Sequence, residues 1–206
     1  MTLPMFPLET VVFPFTAVPL RVFEPRYQHL LDDALAGDRT FGTVLIRRGP
    51  EVGGGDERYE VGCRLRIVSV ARLPESDHRQ VIVAGTGRIR VESWMDESPY
   101  PLAIVSDFPD RPEEVAQVLV SEVADEVRRV LALASELGTD TSRISTELKG
   151  DPLIVSYQIS ALTPVTPLDA YRLLTASGPR ERLELSQGLL AESARLLRAQ
   201  LGEFDQ

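Results

Sequence analysis

Asp107-Phe108-Pro109-Asp110-Arg111-Pro112-Glu113-Glu114-Val115 divides the chain into two kinds of sequence. Beyond it, Val115, Leu119, Val123, Val127, Val130, Ala134 and Leu137 recur at steps of three and four, which lays apolar side chains along one helix face. Pro112 suits a first helical position, and Glu113 and Glu114 complement the positive end of a helix dipole. The spacing therefore predicts a helix from Pro112 to Leu137, about 39 Å long at 1.5 Å rise per residue.

The rest of the second half keeps this character. Asp151 to Leu162 and Thr166 to Ala176 are shorter helical segments set off by Pro164 and Pro167. A last helix runs from Pro179 to about Leu201, where Leu183, Leu190 and Leu197 lie seven apart beside Leu189 and Leu196, a packing stripe too short for a coiled coil. The first half reads differently. Val- and Ile-rich runs at Phe41 to Arg48, Leu65 to Leu73, Gln80 to Ala84, Arg88 to Glu92 and Leu102 to Ser106 are predicted strands. Polar residues 74–77 mark a hairpin loop, and Gly85 and Gly87 a tight turn or bulge. One helix interrupts the strands, from Pro25 to Ala36, with Tyr27, Leu30, Leu31, Ala34 and Leu35 on one face and Gly37 at its stop. The segment Gly49 to Glu60, holding three consecutive glycines and four acids, is predicted to be a mobile loop. The expected class is α+β, with a β domain over 1–110 and a helical bundle over 111–206.

Composition narrows the function. The chain has 206 residues, 43% of them hydrophobic, and 22 basic against 31 acidic residues give a net charge of -9. A nucleic-acid partner would have to overcome that field, so nucleic acid is disfavoured. Prolines 4, 7, 14 and 19 interrupt every apolar stretch near the N-terminus, so neither a signal peptide nor a membrane span can be drawn. The single cysteine, Cys63, forms no internal disulfide, and the expected setting is the cytoplasm.

Catalytic motifs are missing. No Gly-rich loop ends in Gly-Lys-Ser/Thr, and no G-x-S-x-G elbow occurs. Lys149, the only lysine, stands near Ser142 and Ser145 in a linker-like stretch, which is weak ground for a Ser-Lys dyad. Two histidines, His29 and His78, lack zinc-site spacing and read as solvated side chains, while Cys63 reads as a buried small residue. No catalytic residue, cofactor or metal site is expected.

What stands out is an aromatic, proline-rich opening: Phe6, Phe13, Phe15, Phe23 and Tyr27 are five of the twelve Phe and Tyr residues. Some must be core, and the others can line a surface for extended or unfolded peptide. Phe13, Phe15 and Phe23 are the expected contact residues, with Arg21 or Arg26 orienting a peptide carbonyl or acid.

Leu3-Pro4-Met5-Phe6-Pro7-Leu8, Val11-Val12-Phe13-Pro14 and Pro19-Leu20-Arg21-Val22-Phe23-Glu24-Pro25-Arg26-Tyr27 resemble the opening of the Lon protease N-terminal, or substrate-binding, domain, most closely its stand-alone bacterial form. The resemblance continues at Tyr59-Glu60-Val61-Gly62 and at Gly85-Thr86-Gly87-Arg88-Ile89-Arg90-Val91. Glu60 stands where the family usually has proline, and Cys63 where it has threonine. The resemblance implies a PUA-like β pseudo-barrel followed by an α-helical bundle. It also implies recognition of unfolded or damaged proteins, in cooperation with an ATP-dependent protease whose ATPase and Ser-Lys protease domains carry the chemistry. The sequence contains neither of those domains, so the expected role is a non-catalytic recognition or adaptor module. The alternative is a PUA-like small-molecule or RNA binder, for which Arg64, Arg66, Arg88 and Arg90 alternate on two predicted strands.

Overall fold

The computed structural model describes residues 1–49, 55–72, 78–95, 99–138 and 147–204, except the side chains of 203 and 204. The chain forms two compact units, Met1–Pro109 and Asp110–Gln206. The first contains β1 (Thr2–Pro4), β2 (Ala17–Val22), α1 (Pro25–Ala36), β3 (Thr40–Arg48), β4 (Glu57–Arg72), β5 (Arg79–Trp94) and β6 (Leu102–Asp107). The second contains α2 (Gln117–Glu136), α3 (Pro152–Leu162), α4 (Pro167–Thr175) and α5 (Pro179–Phe204).

All strand pairs are antiparallel, in the order β1-β6-β5-β4-β3. The long β5 serves two neighbours on the side away from β4: residues 79–84 pair with β2, and residues 89–94 pair with β6. Directly after β1 the chain bridges in parallel to β3, at Met5 with Gly42 and Leu8 with Leu45, and the Phe6 and Leu8 amides donate to Gly42 O (2.8 Å) and Val44 O (3.0 Å). Those bridges join the two ends of the strand path and close the sheet into a pseudo-barrel. Leu3, Met5, Val44, Ile89, Val91, Ala103 and Val105 fill one part of its interior. The other part is closed by α1, which buries Tyr27, Leu30, Leu31 and Ala34 against Phe41, Leu65, Val81 and Val83, each buried leucine or aromatic side chain contributing about 1.5–3 kcal/mol. Tyr27 stacks on Phe6 with ring centroids 4.0 Å apart.

The predicted Gly85–Gly87 irregularity is a bulge. Leu65 faces Gly85 and Arg64 faces Gly87, which leaves Thr86 as the extra residue while β5 runs through unbroken. Two strands were not legible as such: β1 has three residues, and β2 contains Pro19. β4 begins at Glu57, inside the segment predicted as a mobile loop. Residues 50–54 and the predicted hairpin loop 74–77 lie outside the described residues.

In the helical unit, α2 starts at Gln117 and not at Pro112. One of the acids expected in its first turn, Glu113, serves another helix. Glu113 Oε1 accepts from the Arg180 amide (3.0 Å) at the N-terminus of α5, and Arg180 Nη2 donates to Glu114 O (2.8 Å). Gly178 makes room for this, because a Cβ there would collide with the Glu113 carboxylate. The Asp151 side chain caps α3 by accepting from the Ile154 amide (2.9 Å), and Thr166 caps α4 through the Asp169 amide (3.2 Å). Val123, Val127 and Val130 of α2 pack with Ile159 of α3 and Leu183 and Leu190 of α5.

This interior also holds a charge. Arg182 is 0% exposed. Its Nη2 donates to Asp110 Oδ1 (2.5 Å), Nη1 to Ser156 Oγ (2.9 Å) and Nε to Leu173 O (3.1 Å), while its guanidinium lies 3.6 Å from the centre of the Tyr157 ring. The Tyr157 hydroxyl donates to the other carboxylate oxygen of Asp110 (2.6 Å).

Candidate functional site

β2 pairs only with β5 among the described residues, so its other side is a sheet edge. Along it, burial alternates without a break. Leu20 and Val22 are buried and Val18 is half-buried, whereas Phe15, Ala17, Pro19, Arg21 and Phe23 are all exposed. The two aromatics are 44% and 47% exposed and stand just beyond the two ends of the strand. Six strand residues span about 20 Å, so the row has the length of a short extended peptide. The period-two signal Val18, Leu20, Val22 was present in the sequence, but the prolines around it argued against regular pairing. Pro19 is tolerated because an edge strand does not need every backbone donor.

Phe15 has φ of 59°, a left-handed conformation that a bulky side chain rarely adopts. The corner is held by the Phe15 amide donating to Gly85 O (2.8 Å), the Gly85 amide to Thr16 O (2.9 Å) and Thr16 Oγ1 to Phe13 O (2.7 Å). The backbones come this close because residue 85 has no side chain: a Cβ there would collide with the Phe13 carbonyl. Phe13 itself is 4% exposed. The expectation of a contact residue is corrected here, because its ring belongs to the core.

At the other end, Arg21 Nη2 donates to His78 Nδ1 (2.9 Å), which fixes that ring nitrogen as the acceptor. Phe23 lies beside the same ring, with centroids 5.8 Å apart. His78, expected to be solvated, is thus the half-buried link between Arg21 and Phe23, joined to them from across the β2–β5 pair. Arg26 differs from its expected role of facing a ligand. Its Nε donates to Glu24 Oε2 (3.1 Å), and its guanidinium lies 4.5 Å from the centre of the Tyr27 ring. Burial pushes the Tyr27 phenol well above its ordinary range.

The row continues across the sheet, half-buried at Ala84 and Ile82 and exposed at Gln80, Arg66, Ser69 and Ala71. Cross-strand register aligns Ala17 with Ala84 and Arg66, Pro19 with Ile82 and Ser69, and Arg21 with Gln80 and Ala71. Val68, the extra residue of a second β4 irregularity, is also exposed.

The other sequence candidates resolve differently. Register sets Arg64 opposite Gly87 but Arg88 opposite Cys63, so these two arginines lie on different faces of the β4–β5 ribbon. Arg64 pairs with Asp107 (2.7 Å), and Arg88 and Arg90 both lie 4.6 Å from the centre of the Phe108 ring. The four-arginine face considered for RNA does not form. Cys63 is fully buried, and burial pushes its thiol up to about 12. Lys149 pairs with Glu147 (2.8 Å), while Ser142 and Ser145 lie outside the described residues. Among the described residues no group of three His, Cys, Asp or Glu side chains is placed to hold a metal, and no helix is long and apolar enough to cross a membrane. The helical unit has an open groove of about 520 Å³ between Pro164, Val165 and Asp169 on one side and Leu189, Glu192 and Leu196 on the other. Its Asp169 is already bound by Arg172 (2.9 Å) and Thr166 (2.7 Å).

Known proteins match this sequence and this fold. The family described as the ATP-dependent protease La (LON) substrate-binding domain matches residues 2–192. Lon protease 2 of Sorangium cellulosum is 29% identical over 206 residues, covering 96% of this chain and 25% of that protein. The Lon protease of Syntrophus aciditrophicus is 26% identical over 190 residues, covering 88% of this chain and 24% of that protein. The chain thus spans about a quarter of the length of the curated relatives it matches. A Lon N-terminal domain protein from Xanthomonas campestris has the same fold, with a TM-score of 0.65 at 24% identity over 89% of this chain and 95% of that one. The N-terminal domain of Mycobacterium avium complex Lon protease is also similar in fold, with a TM-score of 0.65 at 17% identity over 93% of this chain and 98% of that one.

Proposed function

This chain belongs to the family of the Lon protease substrate-binding domain, and from that premise we propose that it is a non-catalytic recognition module that holds unfolded or damaged polypeptide along β2, acting as an adaptor for an ATP-dependent protease. The observation that carries this reading is the exposed row 15, 17, 19, 21, 23 on an edge strand, with an aromatic ring at each end. An unfolded chain offers apolar side chains and unpaired backbone groups, and a strand edge flanked by aromatics meets both needs. Pro19 takes one donor away from that edge, which disfavours pairing between copies of the protein while leaving room for a short peptide. Backbone strain at Phe15 supports the same reading, since strained residues concentrate where a side chain must be displayed.

Binding to a permanently denatured, fluorescently labelled model protein tests this. Phe15→Ala and Phe23→Ala are expected to weaken binding several-fold each while shifting the thermal midpoint by only a few degrees, as exposed side chains do. Unchanged binding in the double variant would place the receptor surface elsewhere.

A further inference from the structure

Among the described residues, the aligned rows of the sheet face beside β2 carry charge of one sign only. In a protein of net charge -9, the three aligned rows across β2, β5 and β4 hold Arg21 and Arg66 and no acid. Both arginines are exposed, and between them lie the uncharged side chains of Pro19 and Ile82. Among the described residues, three acids of the neighbouring segments are engaged. The Asp38 carboxyl, next to Thr40 opposite Arg66, accepts from the Thr40 amide (3.0 Å) and hydroxyl (2.6 Å), and these bonds, with the attraction of Arg66, hold it below its ordinary range. Asp32 is paired with Arg79 and Glu24 with Arg26. Opposite charges juxtaposed across an interface set specificity and encounter rate more than bulk affinity, and like charges exclude wrong partners.

Resting on the proposed role of β2 as polypeptide receptor, we infer that this face selects among unfolded segments by charge, favouring those in which apolar residues alternate with carboxylates. The arginines are four residues apart along the strands and two strands apart across the sheet, so their Cα atoms are about 16 Å from each other. An extended chain that follows β2 to Arg21 and then lies obliquely over the face to Arg66 covers that span in about five residues, which is the expected spacing of its two acids. Arg21 and Phe23 both meet the His78 ring, so a charged contact and an apolar contact are offered on either side of it at that end. A basic segment would meet two arginines and, on the aligned rows, no acid.

Three labelled twelve-residue peptides test the inference, alike in their apolar and aromatic residues and carrying two Glu, two Gln or two Lys five positions apart. Titrated into the full chain at low ionic strength, the Glu peptide is expected to bind about tenfold more tightly than the Gln peptide and the Lys peptide more weakly than either, with the differences shrinking to about twofold in 0.5 M salt. R21Q/R66Q is expected to erase the ranking, bringing the Glu and Lys peptides to within about twofold of the Gln peptide, and R21K/R66K to keep it; unchanged thermal midpoints check that both variants fold. Equal binding of all three peptides, with the Gln peptide still sensitive to Phe15→Ala and Phe23→Ala, overturns charge selection and leaves the polypeptide receptor standing. Failure of every peptide to bind overturns both. Displacement of the Glu peptide by a single-stranded oligouridylate at equal concentration overturns the inference in favour of a nucleic-acid surface.

Discussion

Arg182 and Arg21 have the same side chain and opposite settings. Arg182 lies in the interior of the helical unit, where a carboxylate, a hydroxyl, a backbone carbonyl and an aromatic face surround it. Arg21 stands on the exposed side of a sheet edge, held by one histidine nitrogen, with Gln80 opposite it and Pro19 and Phe23 to either side on the same face. In the first setting desolvation makes every contact obligatory, and the residue acts on stability. In the second, water shields the charge until a partner displaces it, and the residue acts on selection.

The largest expected effect tests the first half of that contrast. Arg182→Ala takes the guanidinium away from the part-buried Asp110 carboxylate, from Ser156 and from the Leu173 carbonyl, and is expected to cost about 3–5 kcal/mol of stability in chemical denaturation. Arg182→Met combined with Asp110→Asn should cost less than the two separate losses added together, because the pair is then replaced and no longer broken. Additive losses would mean that the ion pair is not the coupling element.

pH sharpens the contrast by acting on the sheet unit. Burial raises the Cys63 thiol to about 12, and burial together with the hydrogen bond to Asp33 raises the Tyr100 phenol to about 12; burial also lifts Tyr27. Between the ordinary range of these groups and about pH 12 the folded chain keeps protons that the unfolded chain has released, so stability must fall as pH rises from about 9. At the acid end the sign reverses. Asp32, lowered by its hydrogen bond from Arg79, and Glu181, lowered by those from Ser177, give stability that is lost as pH falls below about 4. The single tryptophan, Trp94, closes β5 and reports on the sheet unit, while far-UV helical signal comes mostly from α2 to α5. Above pH 9, Trp94 fluorescence is expected to change at lower denaturant than the helical signal. Coincident transitions would mean that the two units unfold as one.

The sequence makes the same distinction visible only in part. Helices α1, α3, α4 and α5 follow from proline starts and three-to-four spacing because both are local signals. α2 starts later than its acids suggest because the Glu113 carboxylate caps α5, more than sixty residues away, and helix-start chemistry does not name the helix it serves. β2 was hidden by its own proline, although Val18, Leu20 and Val22 keep strand period. The leucine spacing of α5 says nothing of Arg182, since no local signal announces that Asp110 and Tyr157 will meet it. The aromatic segment was legible as a cluster, but the division between buried Phe13 and exposed Phe15 depends on one residue, Gly85, in another strand.

The smallest expected effect isolates that division. Phe15→Ala and Phe15→Gly both remove the ring, so both should weaken polypeptide binding by the same several-fold factor. They differ in the backbone: at φ of 59° an alanine keeps the clash between Cβ and the following carbonyl, worth about 1–2 kcal/mol, and glycine relieves it. Glycine in turn gives the unfolded chain more freedom, which offsets about 0.5–1 kcal/mol. The glycine variant should therefore be more stable than the alanine variant by about 0.5–1 kcal/mol, read as a midpoint higher by a few degrees. Wild type should lie close to the glycine variant, because the half-exposed ring recovers only part of the strain through contact. If alanine is the more stable replacement, the left-handed turn at Phe15 carries no strain, and display of the ring costs the fold nothing.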